Sequence, residues 1–378
     1  MQIKVVNYKD TVDGIAAQYG IPVERLIYDN QIPYPYRLAI GQALLISEEE
    51  RAVRPENIRV NGYAYTYISP WVLEQTLPFL TELSVFSYGF TAEGALVEPP
   101  LPADWMIGGA KAAGVMPLLT LTPFGADGKF NNYLIHAVVS NPEAGETLIN
   151  NLLRVMKEYG YQGLDFDFEY IMAEDRDLFT EFVREVTDAL HAEGYRVSIA
   201  LAPKTSANQP GLLYEGKDYR ALGEIVDAAL LMTYEWGYKY GPPMAVAPLN
   251  MVRRVVEYAV TEIPPEKLYL GIPNYGYDWS LPFVRGETAA KTIGNVEAVQ
   301  IAVAHGAVIQ FDETARSPYF YYWENGVTHE VWFEDVRSLT AKFDLIREYH
   351  LAGAGYWNIM QYFRANWLLL SGTFYKKR

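Results

Sequence analysis

The chain has 378 residues, enough to bury a large core, and no cysteine, which excludes disulfides, a thiolate nucleophile and cysteine-held metals. A formal net charge of −15 argues against a nucleic-acid partner and against a polybasic membrane anchor. Aromatic residues reach 14%, a level that suits barrel cores and sugar-binding clefts alike. No stretch approaches the roughly 20 apolar residues of a membrane span. The opening residues, Met1 to Asn7, lack the apolar core of a conventional secretory signal.

In chain order, a β-branched run at Ile3 to Val6 predicts a first short strand. Asp10 and Thr11 carry the short oxygen-bearing side chains that cap a helix, and Ile15, Ala16 and Tyr19 share one face of it. Gly20 suits the stop, Val23, Leu26 and Ile27 give a second helical face, and Ala43 to Ile46 read as a strand. The order strand, helix, helix, strand, with Asp10-Thr11, Ile15-Ala16, Tyr19-Gly20, Leu26, Asn30, Leu38, Gly41-Gln42 and Leu44, resembles a LysM domain. Lys9, the pair Val12-Asp13 and a longer loop at Tyr34 to Arg37 depart from that pattern. The resemblance implies binding of N-acetylglucosamine-containing glycans near Asp10, Thr11, Asn30 and Ile32. The residues alone also allow Asp10 and Thr11 to act purely as caps. The expected organisation is a module at 1–47, an acidic linker at 48–57 ahead of the next strand, and a second domain at 58–378. A tethered module would raise local concentration on a wall without touching the chemistry.

Beyond the linker, strand-like runs recur near residues 59–66, 83–87, 116–121, 163–169, 196–201, 228–234, 268–272 and 353–357, with amphipathic stretches between most of them. One such stretch holds Leu178, Phe182, Val183, Val186 and Leu190 at helical spacing. Eight strands alternating with helices predict an α/β fold, a (β/α)₈ TIM barrel behind the small βααβ module.

The run Gly163-Leu164-Asp165-Phe166-Asp167-Phe168-Glu169-Tyr170 carries the sharpest chemistry. Strand parity puts Asp165, Asp167 and Glu169 on one face and Leu164, Phe166 and Phe168 on the other. The apolar face suits the outer helices, so the acids point into the barrel, with Glu169 nearest the C-terminal mouth. Crowded acids cannot all ionise, and one held protonated is what glycosidic cleavage needs at the leaving oxygen. A divalent-cation site is the other chemistry that three carboxylates support.

This run resembles a close variant, one residue shorter after the Gly, of the signature Asp-Gly-x-x-Asp-x-Asp-x-Glu of glycoside hydrolase family 18, with Gln162 at its first position. Later segments agree in order: Leu231 to Trp236, Gly271 to Trp279, and Gly355-Tyr356-Trp357-Asn358. The resemblance implies that Glu169 is the general acid, that Asp167 orients the substrate acetamido group, that Asp165 shares its proton, and that Tyr234 contacts the same group. It implies further substrate contacts from Tyr63, Met232, Glu235, Trp236, Asn274, Tyr275 and the floor residue Trp357, and no cofactor or metal. The third strand, Pro117 to Pro123, lacks the Ser-x-Gly-Gly of many chitinases, and Glu235 stands where they carry Asp. With Gly241 to Pro248 and Ser317 to Phe320, these departures resemble the LysM-bearing, spore-associated branch, whose well-known members carry two such modules. The expectation is therefore a monomeric peptidoglycan N-acetylglucosaminidase, spore-associated or in the cell wall. A chitinase and a catalytically silent glycan-binding barrel are the alternatives. The five histidines show no metal-ligand spacing.

Overall fold

The structure, a computed structural model, describes residues 1–47, 56–125 and 128–377. Eight parallel strands form a closed barrel: Asn57–Tyr65, Glu82–Phe90, Met116–Leu121, Gly163–Phe166, Arg196–Leu201, Ala228–Leu231, Leu268–Pro273 and Gly353–Trp357. The first strand pairs with both the second and the eighth, which closes the ring. Helices follow the strands and cover the outside. The expected strand at 163–169 ends its regular pairing at Phe166, although Asp167 N still donates to Leu121 O at 2.9 Å. The side-chain alternation therefore continues past the regular ladder, and Phe168 packs beside Phe90, Phe166 and Phe179.

Helix Arg176–Ala192 shows how the pattern sets the phase. Phe179, Phe182, Val183, Val186 and Leu190 are all buried against the barrel. Leu178, expected on that face, is 44% exposed, because one residue turns a helix by about 100° and Phe179 holds the inward position. Between the seventh and eighth barrel strands lies an antiparallel five-stranded sheet built from Gly276–Leu281, Lys291–Ile293, Gln310–Asp312, Ser317–Glu324 and Val327–Trp332, with helix Asn295–Ala304. This insertion forms one wall beside the barrel mouth. No helix of the described residues is long and apolar enough to cross a membrane.

The N-terminal strands Gln2–Val5 and Ala43–Ile46 pair antiparallel around helices Val12–Tyr19 and Val23–Asp29. Thr11 caps the first helix by accepting from Gly14 N at 3.1 Å, and Gly20 ends it in the left-handed conformation. Residues 48–55 of the expected linker lie outside the described residues. The module nonetheless sits on the second domain through its own contacts. Arg364 Nε donates to Asp29 Oδ1 at 3.0 Å, Arg364 N donates to Gln31 Oε1 at 2.7 Å, and Ile309 N donates to Ile40 O at 2.8 Å. Leu45 joins the barrel's apolar core, and Ala39 joins that of the insertion. Deleting residues 1–47 is therefore expected to lower the melting temperature of the remaining barrel, because buried apolar surface returns to water. Scanning calorimetry of both proteins checks this; equal melting temperatures would show that the interface adds no stability.

Candidate active site

The inward faces of the barrel strands build the site in layers. At its base Glu82 is 1% exposed and accepts from Arg59 Nη1 and the Tyr269 hydroxyl, each at 3.1 Å, while Arg196 Nε lies 3.2 Å away. This buried acid is compensated, as a buried charge must be. Above it Asp165 Oδ1 accepts from Ser198 Oγ at 2.6 Å. Burial pushes the Asp165 carboxyl up to about 7, against the pull of Ser198 and the nearby Tyr63 hydroxyl. Asp167 is pushed up by burial first, then by the negative charge of Glu169 and Asp165. Glu169 is also raised by burial, with Lys217 opposing the shift and Glu235 adding to it.

Three polar atoms cluster buried at this level: the Tyr63 hydroxyl faces the Asp165 carboxyl, and Asp167 Oδ1 is left without a hydrogen-bond partner. An orphaned buried polar group costs about 1–3 kcal/mol. Such clustering fits a place where a substrate or a shared proton completes the network. Among the described residues, no group of three His, Cys, Asp or Glu side chains is arranged to hold a metal ion.

A cavity of about 590 Å³ opens above the acids, lined by Asp167, Glu169, Met232, Tyr234, Trp236 and Trp357 among others. A second space of about 520 Å³ lies toward the insertion and shares Tyr65, Glu235 and Trp357 with the first. Trp357 thus separates two arms of one cleft, and its ring is held edge-on by Phe86 at 4.9 Å, Tyr63 at 5.7 Å and Tyr65 at 5.9 Å. Glu235 adopts a left-handed backbone (φ 66) and accepts from the Tyr275 hydroxyl and, at 2.8 Å, from the Tyr277 hydroxyl. A non-glycine residue there is strained by about 1–2 kcal/mol, so the two tyrosines over-determine its place. Gly271 permits the approach of neighbouring strands: a Cβ there would lie 2.2 Å from Leu231 O and 2.9 Å from the Tyr234 ring.

The barrel residues singled out from the sequence thus converge on one cleft. Asn274 lies in its second arm, but its amide donates to Asn358 O at 2.9 Å and Gln361 O at 2.8 Å, which ties two loops together. The four module residues are engaged locally. Asp10 accepts from Asn7 N at 2.7 Å and pairs with Lys4 at 2.9 Å, and Asn30 bonds Leu26 O, Leu45 O and Leu45 N. Ile32 is 5% exposed in the module's core.

Two groups escaped the sequence reading. Tyr65 shares a strand face with Tyr63, so parity alone could have found it. Lys217, buried beside the acids, sits in the polar run Glu215-Gly216-Lys217-Asp218, which reads as an ordinary exposed loop.

Comparison with known proteins follows the same lines. The model of glycosyl hydrolases family 18 matches residues 121–361, and that of the LysM domain matches 5–47. A cortical fragment-lytic enzyme of Bacillus subtilis is 37% identical, with 99% of this chain and 98% of that protein covered. The crystal structure of the Bacillus megaterium spore cortex-lytic enzyme SleL is similar at TM-score 0.93 and 34% identity, covering 100% of this chain and 98% of that one. A chitinase from Chromobacterium violaceum is similar at TM-score 0.77 and 25% identity, over 83% of this chain and 98% of its own.

Proposed function

Because the chain belongs to the glycosyl hydrolases family 18 and carries a LysM domain, we propose that it is a retaining glycosidase of spore-cortex peptidoglycan, cleaving β-1,4 linkages after N-acetylglucosamine. The observation that carries this reading is the column of acids with raised pKa values ending at Glu169 beneath an aromatic-floored cleft. The fragment-lytic and cortex-lytic relatives, similar over nearly their whole length, supply the substrate class.

In this reading Glu169 protonates the glycosidic oxygen as the bond to the anomeric carbon breaks. The substrate's own N-acetyl oxygen attacks that carbon from the opposite face, which makes a second enzymic nucleophile unnecessary. Asp167 and the Tyr234 hydroxyl orient the acetamido group, and Asp167 stabilises the positive charge it acquires. Asp165 takes up or returns the proton that its neighbour cannot keep. Water, deprotonated by Glu169, then opens the intermediate with net retention. Trp357 stacks beneath the sugar, while Tyr63, Met232, Glu235, Trp236, Asn274 and Tyr275 shape its surroundings. The module adds glycan affinity near Asp10, Thr11, Asn30 and Ile32, and the protein acts as a monomer.

Mass spectrometry of products from cortex peptidoglycan tests the substrate assignment. The expected fragments end in reducing N-acetylglucosamine. Fragments ending in reducing muramic acid would overturn it, because the sugar at the cleavage point would then carry the lactyl group. Release from chitin oligomers alone would favour a chitinase.

A further inference from the structure

Lys217 is fully buried, yet among the described residues it closes no salt bridge. Its Nζ donates to the main-chain carbonyl of Glu169 at 2.7 Å and reaches Leu213 O at 3.5 Å. The carbonyl of Lys217 in turn accepts from Lys204 Nζ at 2.9 Å, and that same ammonium donates to Ala207 O at 3.0 Å. The two lysines thus latch the loop after the fifth barrel strand, which lines the cleft with Leu213 and Tyr214, onto the chain that carries the acids. The contact is close: a Cβ at Gly216 would lie 2.5 Å from Ile171.

An ammonium so deeply buried is unfavourable unless negative charge lies near. Burial pulls Lys217 down to about 8, while Glu169 and then Asp167 favour its charged form. The effect is reciprocal, since Lys217 lowers both carboxyls. The other groups facing the pair are Asp165, Glu235 and the hydroxyls of Tyr63, Tyr65, Tyr170 and Tyr234, none of them a cation. The cation facing Lys217 itself is Lys204. A loop brace could be neutral; a charged one in this place changes how the acids hold protons.

We infer that Lys217 is a positioning residue of this centre, fixing the main chain at Glu169 and setting by its charge the protonation of the Asp167–Glu169 pair. The inference deepens the glycosidase reading and rests on it for its catalytic meaning. Lys217→Met keeps the length and removes the charge, which makes both acids harder to ionise. Both limbs of the pH–rate profile on an N-acetylglucosamine oligomer should then move to higher pH by about one unit. Lys217→Arg should leave the limbs in place even if kcat falls. A uniform loss of rate in Lys217→Met with unmoved limbs would overturn the inference.

A second measurement needs neither that variant to fold nor any hydrolysis. Lysine ¹³Cε resonances are titrated by NMR in the parent and in Glu169→Gln, with Lys217→Arg identifying the signal. Loss of the facing carboxylate should shift the Lys217 titration down by about one unit. An unmoved titration would overturn the electrostatic coupling. Absence of glycan cleavage by the parent would instead count against the glycosidase reading and leave this result standing.

Discussion

Glu169→Gln is expected to lower turnover of an N-acetylglucosamine glycan by about 10²–10⁴-fold, the usual contribution of a general acid. Affinity for soluble fragments should change little, since glutamine keeps the shape and only the transition state requires the proton. The pH dependence follows from the direction of the shift. Burial holds the Glu169 carboxyl above the ordinary glutamate range, so its protonated form persists to higher pH, and activity is lost as pH rises through that raised value. Initial rates and fragment binding measured side by side check both statements. Equal measurable rates in parent and variant would exclude Glu169 as the acid, and no hydrolysis by the parent, with binding retained, would favour a silent glycan-binding barrel.

Lys342→Met should be strongly destabilising although it lies away from the cleft. Lys342 Nζ lies 2.9 Å from Glu334 Oε2, with the two side chains 0% and 1% exposed. Removing one member of a buried pair strands the other, at a cost of about 3–5 kcal/mol. The sign of the pH dependence is fixed by Glu334, which burial raises and Lys342 lowers. Without the ammonium its folded pKa rises further above the unfolded value of about 4.3. The deficit should therefore be small below that pH, grow as pH rises from it toward the folded value, and level off above the folded value. Adding Glu334→Gln to the variant should recover part of the loss. Denaturant unfolding at a series of pH values upward from the unfolded glutamate value reads the effect, and a pH-independent deficit would exclude a stranded carboxylate.

What the sequence made legible follows from periodicity. Alternation in 163–169 identified the inward acids even though the regular ladder stops at Phe166, because the face of a side chain depends on extended backbone rather than on completed pairing. The helical stripe through Phe182, Val183, Val186 and Leu190 gave the correct buried face, with Leu178 misplaced by one position. Contacts between distant segments left no such trace. Nothing in Glu215-Gly216-Lys217-Asp218 signals burial, since Lys217 is enclosed by residues nearly fifty positions earlier. In the five-stranded insertion only the pairing of Gly276–Leu281 with Val327–Trp332 spans the helix and leaves no such trace, whereas Ser317–Glu324 and Val327–Trp332 form a local hairpin around Asn325-Gly326 that a turn signal could have found. Likewise Leu45, in the strand expected at Ala43 to Ile46, joins the barrel's core, and nearby Ala39 joins that of the insertion.

The shared cores of module and barrel change what two binding sites on one chain can accomplish. A module on a slack tether samples many separations, so its benefit averages over all of them. Here Arg364 meets Asp29 and Gln31, and Ile309 meets Ile40, so the separation between the module and the cleft at Trp357 is set by the fold. Glycan strands whose spacing matches that caliper would gain the full advantage of double attachment. Strands that cannot span it would gain almost none. Selection among wall architectures then becomes a matter of distance as well as of sugar chemistry.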